Sequence, residues 1–243
     1  MSYVLIIGAK SDIAKEVARV YAKNGYNLYL ASRESESLAD LKQDIEIRSG
    51  VEVKLVEFDI TAFDTHEEFY TSLSERPLGV IVVAGFMCEQ KVAQKDWSKT
   101  LQTINVNYTG ALSILNIVAN DFEKERRGFI VGVSSVAGDR GRKANYIYGS
   151  AKAGFSAYLS GLRNRLYESG VSVLSVKPGF VNTKMTESLD LPQNLTAQPQ
   201  EVAEDIFNAQ QRGRNILYTK TIWMFIMLVI KHIPESIFKK MSI

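Results

Sequence analysis

A doubly wound α/β domain, with a seven-stranded parallel sheet and helices on both faces, is the fold class this 243-residue sequence predicts. Two observations carry it. Short runs rich in Val, Ile and Leu alternate with longer amphipathic segments nearly to the end of the chain. The runs are also continuously apolar rather than alternating, as expected of strands covered by helices on both sides. The strands are expected at Tyr3–Ile7, Asn27–Ala31, Val51–Phe58, Val80–Val83, Gly128–Val133, Val171–Val176 and Asn215–Tyr218. Helices are expected near Asp12–Lys23, Ser35–Ile47, Phe63–Leu73, Asp96–Phe122, Tyr146–Glu168 and Pro199–Gln211. No repeat or linker divides this body, so residues 1–219 read as one domain and 220–243 as an apolar, basic helical tail.

Composition narrows the chemistry. Cys88 is the only cysteine and His66 and His232 the only histidines, so neither an intrachain disulfide nor a His/Cys metal site is expected. The net charge is +2, yet Lys220–Ile243 alone holds four lysines against Glu235. The body is thus slightly acidic, and no nucleic-acid partner is expected. The first residues run straight into a strand without a basic, signal-like region, which favours a cytoplasmic protein.

The first strand ends in Gly8-Ala9-Lys10-Ser11-Asp12-Ile13-Ala14 and a helix follows. Small residues here let backbone approach a pyrophosphate, and the helix N-terminus offers unpaired N–H groups and a positive dipole end. An ordinary strand-to-helix turn would look similar. Asp12 stands where glycine would permit a positive φ, which Asp tolerates, and it could instead cap the helix. At the next strand end, Ala31-Ser32-Arg33 places a cation where NAD-binding units carry an acid. The planar fork of Arg33 suits a 2′-phosphate and favours NADP(H) over NAD(H), although a solvated surface arginine is the plainer alternative.

Tyr148 and Lys152, four apart, share one face of a helix. A nearby ammonium would lower the phenol pKa toward working pH and so support proton transfer. The pair could equally be a surface contact. Ser134 and Ser135 leave a buried strand shortly before it, at the carboxyl end of the sheet where doubly wound folds bind ligands. They could also simply cap the next turn.

Taken together these motifs resemble the short-chain dehydrogenase/reductases, over about Tyr3 to Thr219. The resemblance implies a Rossmann domain that transfers hydride between a nicotinamide and a carbonyl, commonly as a homo-oligomer. It makes Ser135 the carbonyl-binding serine, Tyr148 the general acid, Lys152 the residue that binds the ribose and tunes the tyrosine, and Asn107 the asparagine behind a proton-relay water. It further places Gly8, Ser11, Asp12 and Ile13 at the pyrophosphate, and Asp59 and Ile60 at the adenine side. Ala84 and Gly85 stand for the family's Asn-Asn-Ala-Gly turn. In the Pro-Gly motif, Pro178, Val181 and Thr183 fall beside the nicotinamide. The sequence departs from the family in having Asp12 and Ala14 where glycines are usual, in retaining only Ala84-Gly85 of its turn, and in lacking an Asp-Gly-Gly ending.

The tail contains nine uninterrupted apolar residues, Ile222–Ile230. As a helix they would span about 14 Å, against about 30 Å of hydrocarbon, so they cannot cross a bilayer. Pro234 can open a second helix with Ile237, Phe238 and Met241 on one face. Such a tail suits in-plane contact with an anionic membrane surface, or else a subunit interface or lid. The degenerate turn and this tail are similar to reductases of polyprenyl-phosphate-linked 2-keto sugars, which implies a lipid-linked carbonyl substrate and a peripheral location on the inner membrane face. The alternatives are a soluble reductase of small ketones or aldehydes whose tail serves oligomerisation, and a non-enzymatic nucleotide-sensing module. The segment Lys184–Gln198, polar and without periodicity, is expected to be a mobile substrate loop.

Overall fold

The computed structural model describes residues 1–187 and 190–241. Seven parallel strands form the sheet: β1 (Tyr3–Ile7), β2 (Asn27–Ser32), β3 (Val53–Glu57), β4 (Gly79–Val82), β5 (Phe129–Val133), β6 (Ser172–Pro178) and, late in the chain, β9 (Ile216–Thr219). Their order is β3-β2-β1-β4-β5-β6-β9. After β3 the chain returns to the other side of β1, so the order reverses between β1 and β4. Ile7 pairs with Val82 there, and a crevice opens where the two chains leave the sheet.

Period-two alternation along each strand divides the core between the two sheet faces. Val4 and Ile6 face one cluster, with α1 (Asp12–Lys23), α2 (Ala39–Ser49) and α8 (Pro199–Gln211). Tyr3, Leu5 and Ile7 face the other, with α3 (His66–Ser72), α6 (Gly110–Glu125) and α7 (Tyr146–Leu166). Local signals set the helix ends. Ser11 caps α1 by accepting from the Ala14 N–H at 3.1 Å, and Gly50 ends α2 in the left-handed conformation. Pro199 opens α8, where the Gln198 N–H donates to Glu201 at 2.7 Å.

Two expectations are corrected. The segment Asp96–Phe122 is not one helix: α5 (Trp97–Ile104) and α6 are joined by a π-helical turn, Asn105–Thr109. Just beyond it, a Cβ on Gly110 would fall 2.0 Å from the Ile60 carbonyl oxygen, so the helix meets the loop after β3 as closely as glycine allows. Asp12 neither takes a positive φ nor caps the helix. Gly8 is the left-handed residue, with φ +84, Ser11 is the cap, and Asp12 is already in the first turn. Outside the sheet, β7 (Phe180–Val181) pairs in parallel with β8 (Thr196–Ala197), and α4 (Gln90–Ala93) is a further short helix; neither has a sequence signal. Ser188 and Leu189 of the expected substrate loop lie outside the described residues.

The tail forms α9 (Ile222–His232) and α10 (Glu235–Phe238). Trp223 and Met227 are buried against the body, while Ile222, Met224, Phe225, Leu228 and Val229 are exposed. Among the described residues, no helix is long and apolar enough to cross a membrane.

Candidate active site

A cavity of about 740 Å³ occupies the crevice at the carboxyl ends of β1, β4 and β5. Every sequence-derived site residue except Asn107 lines it: Gly8, Ser11, Asp12, Ile13, Arg33, Asp59, Ile60, Ala84, Gly85, Ser135, Tyr148, Lys152, Pro178, Val181 and Thr183.

The nucleotide side is built from the turn after β1. A Cβ on Gly8 would lie 2.6 Å from the Ala84 nitrogen, so only glycine lets the two loops meet. The N–H groups of Asp12 and Ile13 have no intrahelical acceptor at this helix start. The Asp12 carboxylate does not stand as an uncompensated charge: it accepts from the Lys184 N–H at 2.9 Å and lies 3.9 Å from the Lys15 ammonium. Arg33 is exposed over the cavity. Its neighbour Glu34 pairs with Lys10 at 2.7 Å, and the Glu57 carboxylate accepts from the Glu34 and Ser35 N–H groups. Asp59 accepts from both the N–H and hydroxyl of Thr61. Burial alone would raise its carboxyl pKa, but these bonds and the charge of Arg33 bring it below the usual value.

The reactive side is built on β5 and α7. The two serines at the end of β5 divide their work. Ser134 is buried and bonds to the Lys152 carbonyl and the Ser156 hydroxyl. Ser135 lines the cavity while accepting from the Ala137 N–H, so it caps the following turn and still presents its hydroxyl. Helical spacing brings Tyr148 and Lys152 together, with the ammonium 5.8 Å from the phenol ring centre. Lys152 is buried and donates to the Val133 carbonyl at 3.0 Å, which leaves two of its three donors for other partners. Burial pushes its pKa down to about 8. Burial also pushes the Tyr148 phenol up to about 12, opposed by the Ser135 hydroxyl. The expected lowering of the phenol by Lys152 is therefore corrected: burial raises it, and the group that opposes burial is the Ser135 hydroxyl rather than the ammonium.

Asn107 lies behind this wall, in the π-helical turn. Its side-chain nitrogen donates to the carbonyls of Phe86 (2.6 Å) and Thr103 (2.9 Å), and its oxygen accepts from the Phe86 N–H. It pins the loop that carries Ala84 and Gly85.

Sequence reasoning missed Trp223, Arg142 and Asn145, which also line the cavity. A Cβ on Gly179 would lie 1.9 Å from the Trp223 indole nitrogen; the glycine of the Pro-Gly motif is thus the seat of the tail. The indole donates to the Leu195 carbonyl at 3.0 Å and meets Phe180 edge-on. A lone tryptophan in the apolar run Ile222–Ile230 is the one signal that could have marked it.

A family model described as short chain dehydrogenase matches residues 2–194. An uncharacterized oxidoreductase of Mycobacterium tuberculosis is 32% identical over 241 residues, covering 98% of this chain and 96% of that protein. One from Myxococcus xanthus is 31% identical over 218 residues, covering 88% and 86%. Among solved structures, a short-chain dehydrogenase from Sphingobium yanoikuyae in complex with NADPH superposes with a TM-score of 0.83 at 23% identity, covering 97% of this chain and 98% of that one. The chain belongs to the short-chain dehydrogenase family of oxidoreductases, which interconvert carbonyls and alcohols with a nicotinamide cofactor.

Proposed function

We propose that the protein reduces a carbonyl to an alcohol with NADPH, and that Tyr148 is its proton donor. The convergence of Ser135, Tyr148 and Lys152 on one cavity wall, at the switch point of the sheet, is the observation that supports this reading.

The cavity suits the nucleotide on grounds of its own. Gly8 allows a close backbone turn, the start of α1 leaves two N–H groups for a pyrophosphate, the buried Ser32 hydroxyl lacks a partner among the described residues, and Lys152 retains two donors. Gly8, Ser11, Asp12 and Ile13 would hold the pyrophosphate, with Asp59, Ile60, Ala84 and Gly85 around the adenosine. Arg33 would hold a 2′-phosphate, which is the basis for preferring NADP(H) to NAD(H). Lys152 and Tyr148 would hold the second ribose, and Pro178, Val181 and Thr183 the carboxamide. When bound, the reduced nicotinamide supplies the hydride.

The Ser135 and Tyr148 hydroxyls donate to the carbonyl oxygen, and as charge builds there Tyr148 passes its proton across. A phenol held near 12 keeps that proton until the oxygen demands it. The Lys152 ammonium, charged below about 8, then stabilises the phenolate. Asn107 is assigned the far end of the proton path, as the family resemblance implies. Tyr148→Phe is expected to bind NADPH as the wild type does, measured by fluorescence titration, and to lose about 10²–10⁴-fold in turnover of carbonyl substrates. Wild-type turnover in that variant would refute the assignment, and the same titration with NADH ranks the two nucleotides.

The exposed face of α9 supports a narrower reading, in which the carbonyl is lipid-linked, such as a keto sugar on a polyprenyl phosphate. Phe225, Leu228 and Val229 are each more than half exposed, and Lys231, Lys239 and Lys240 stand exposed nearby. An apolar face fringed by cations fits an anionic bilayer surface, and Trp223 joins the same helix to the cavity wall. The intact chain is expected to co-sediment with vesicles containing anionic lipid, and Val229→Glu to weaken that binding. A concentration-dependent oligomer without vesicle binding would instead assign this face to a subunit interface.

A further inference from the structure

The proposed catalytic groups leave two polar side chains of the cavity unused. Arg142 and Asn145 lie in the loop joining Ser135 to Tyr148, and both line the cavity. Among the described residues, the Arg142 Nε is buried without an acceptor and the Asn145 Oδ1 is buried without a donor. Asp139, the carboxylate nearest in sequence, is already committed: Lys177 pairs with it at 2.5 Å and the Tyr218 hydroxyl donates to it at 2.7 Å. Burial works against the guanidinium charge, and Asp139 only partly offsets this. Arg142 is half-buried, and its enclosed Nε–H without an acceptor is unfavourable, a cost that a ligand oxyanion in the cavity would relieve.

The loop that carries these residues is held firmly. Asp139 ties it to β6 and β9 through Lys177 and Tyr218. Arg140 donates to the Ile230 and Ile233 carbonyls, both at 2.6 Å, pairs with Glu235 at 2.9 Å, and lies 3.6 Å from the centre of the Phe238 ring. The fork of Arg142 is therefore carried on a loop already fixed to the sheet and the tail, and is pre-organised rather than free to search for a carboxylate on the surface.

We infer that Arg142 binds an oxyanion carried by the carbonyl substrate, with Asn145 accepting from a substrate hydroxyl, so that the preferred substrates are hydroxylated carbonyls bearing a phosphate ester or a carboxylate. This rests on the reductase reading above and narrows its substrate class. A guanidinium pairs with either oxyanion in a two-pronged geometry. A neutral ketone would leave the buried Arg142 Nε–H without an acceptor.

The test uses the full chain saturated with NADPH, which fills the nucleotide side. It is titrated calorimetrically with glycerol 1-phosphate and, separately, with glycerate, alcohols that NADPH cannot reduce. At least one of the two is expected to bind, and the arm that binds more tightly identifies the anion. Arg142→Gln is expected to weaken that binding about ten- to a hundred-fold, the range of a charge-assisted hydrogen bond. Arg142→Lys should retain part of it, and Lys143→Gln, an exposed neighbour outside the cavity wall, should leave it within about twofold. Melting temperatures and NADPH titrations check that each variant is folded. Binding of neither anion to the intact holoenzyme, or equal losses in Arg142→Gln and Lys143→Gln, would overturn the inference while leaving the reductase reading in place. Failure of the wild type to bind NADPH would overturn both.

Discussion

The strand β1 and the helix α9 are both strongly apolar segments, and they meet opposite fates. All five residues of β1 are buried. On α9 only Trp223 and Met227 are fully buried. The strand has β2 and β4 on its edges and helical layers on its faces, so every side chain has a partner. The helix follows an edge strand and touches the body along one stripe, with Trp223 seated over Gly179 and Met227 beside it. Hydropathy measures a demand for burial. Whether that demand is met depends on how many sides of an element the fold can cover.

The contrast can be tested at three points. Ile6→Asp should have the largest effect, because a carboxylate with no partner at the centre of the sheet costs a large fraction of a domain's total stability, typically about 5–15 kcal/mol. The expected outcome is no cooperative unfolding transition by circular dichroism, and a folded variant would show β1 to be less enclosed than described. Trp223→Ala should be intermediate, lowering stability by about 3 kcal/mol in urea denaturation. A loss under about 0.5 kcal/mol would mean that α9 is not anchored to the body in solution. Val229→Glu, on the outer face, should change stability least, by within about 0.5 kcal/mol, while reducing vesicle binding. A large destabilisation there would show that this face is covered by another part of the protein or by a second copy.

Much of the site is legible in the sequence because its parts sit at positions where local rules apply. Gly8 stands at a strand end that needs a left-handed residue, Ser135 leaves a buried strand at the carboxyl edge of the sheet, and Tyr148 and Lys152 share a helix face by periodicity. The rest depends on contacts that have no period. Asn107 is fixed by Phe86, which is far away in sequence, and the close approach of Gly110 to Ile60 beside the π-helical turn joins segments just as remote. Arg142 and Asn145 stand in an irregular loop, where nothing local distinguishes a cavity-lining arginine from a solvated one. The ionisation of Tyr148 is a similar case: spacing predicts an influence of Lys152, but the burial that raises the phenol is a property of the whole cavity.

The sequence by itself determined the order of strands and helices, the turn that opens α1 and the residues that meet in the crevice, because each follows from periodicity, capping or strand-end position over a few neighbouring residues. Only the tertiary structure decided which face of α9 is covered, which of the two serines is tied to α7, and where the Arg142 guanidinium lies. Those outcomes turn on distances between segments remote in the chain, and on the loss of water that follows when they close together.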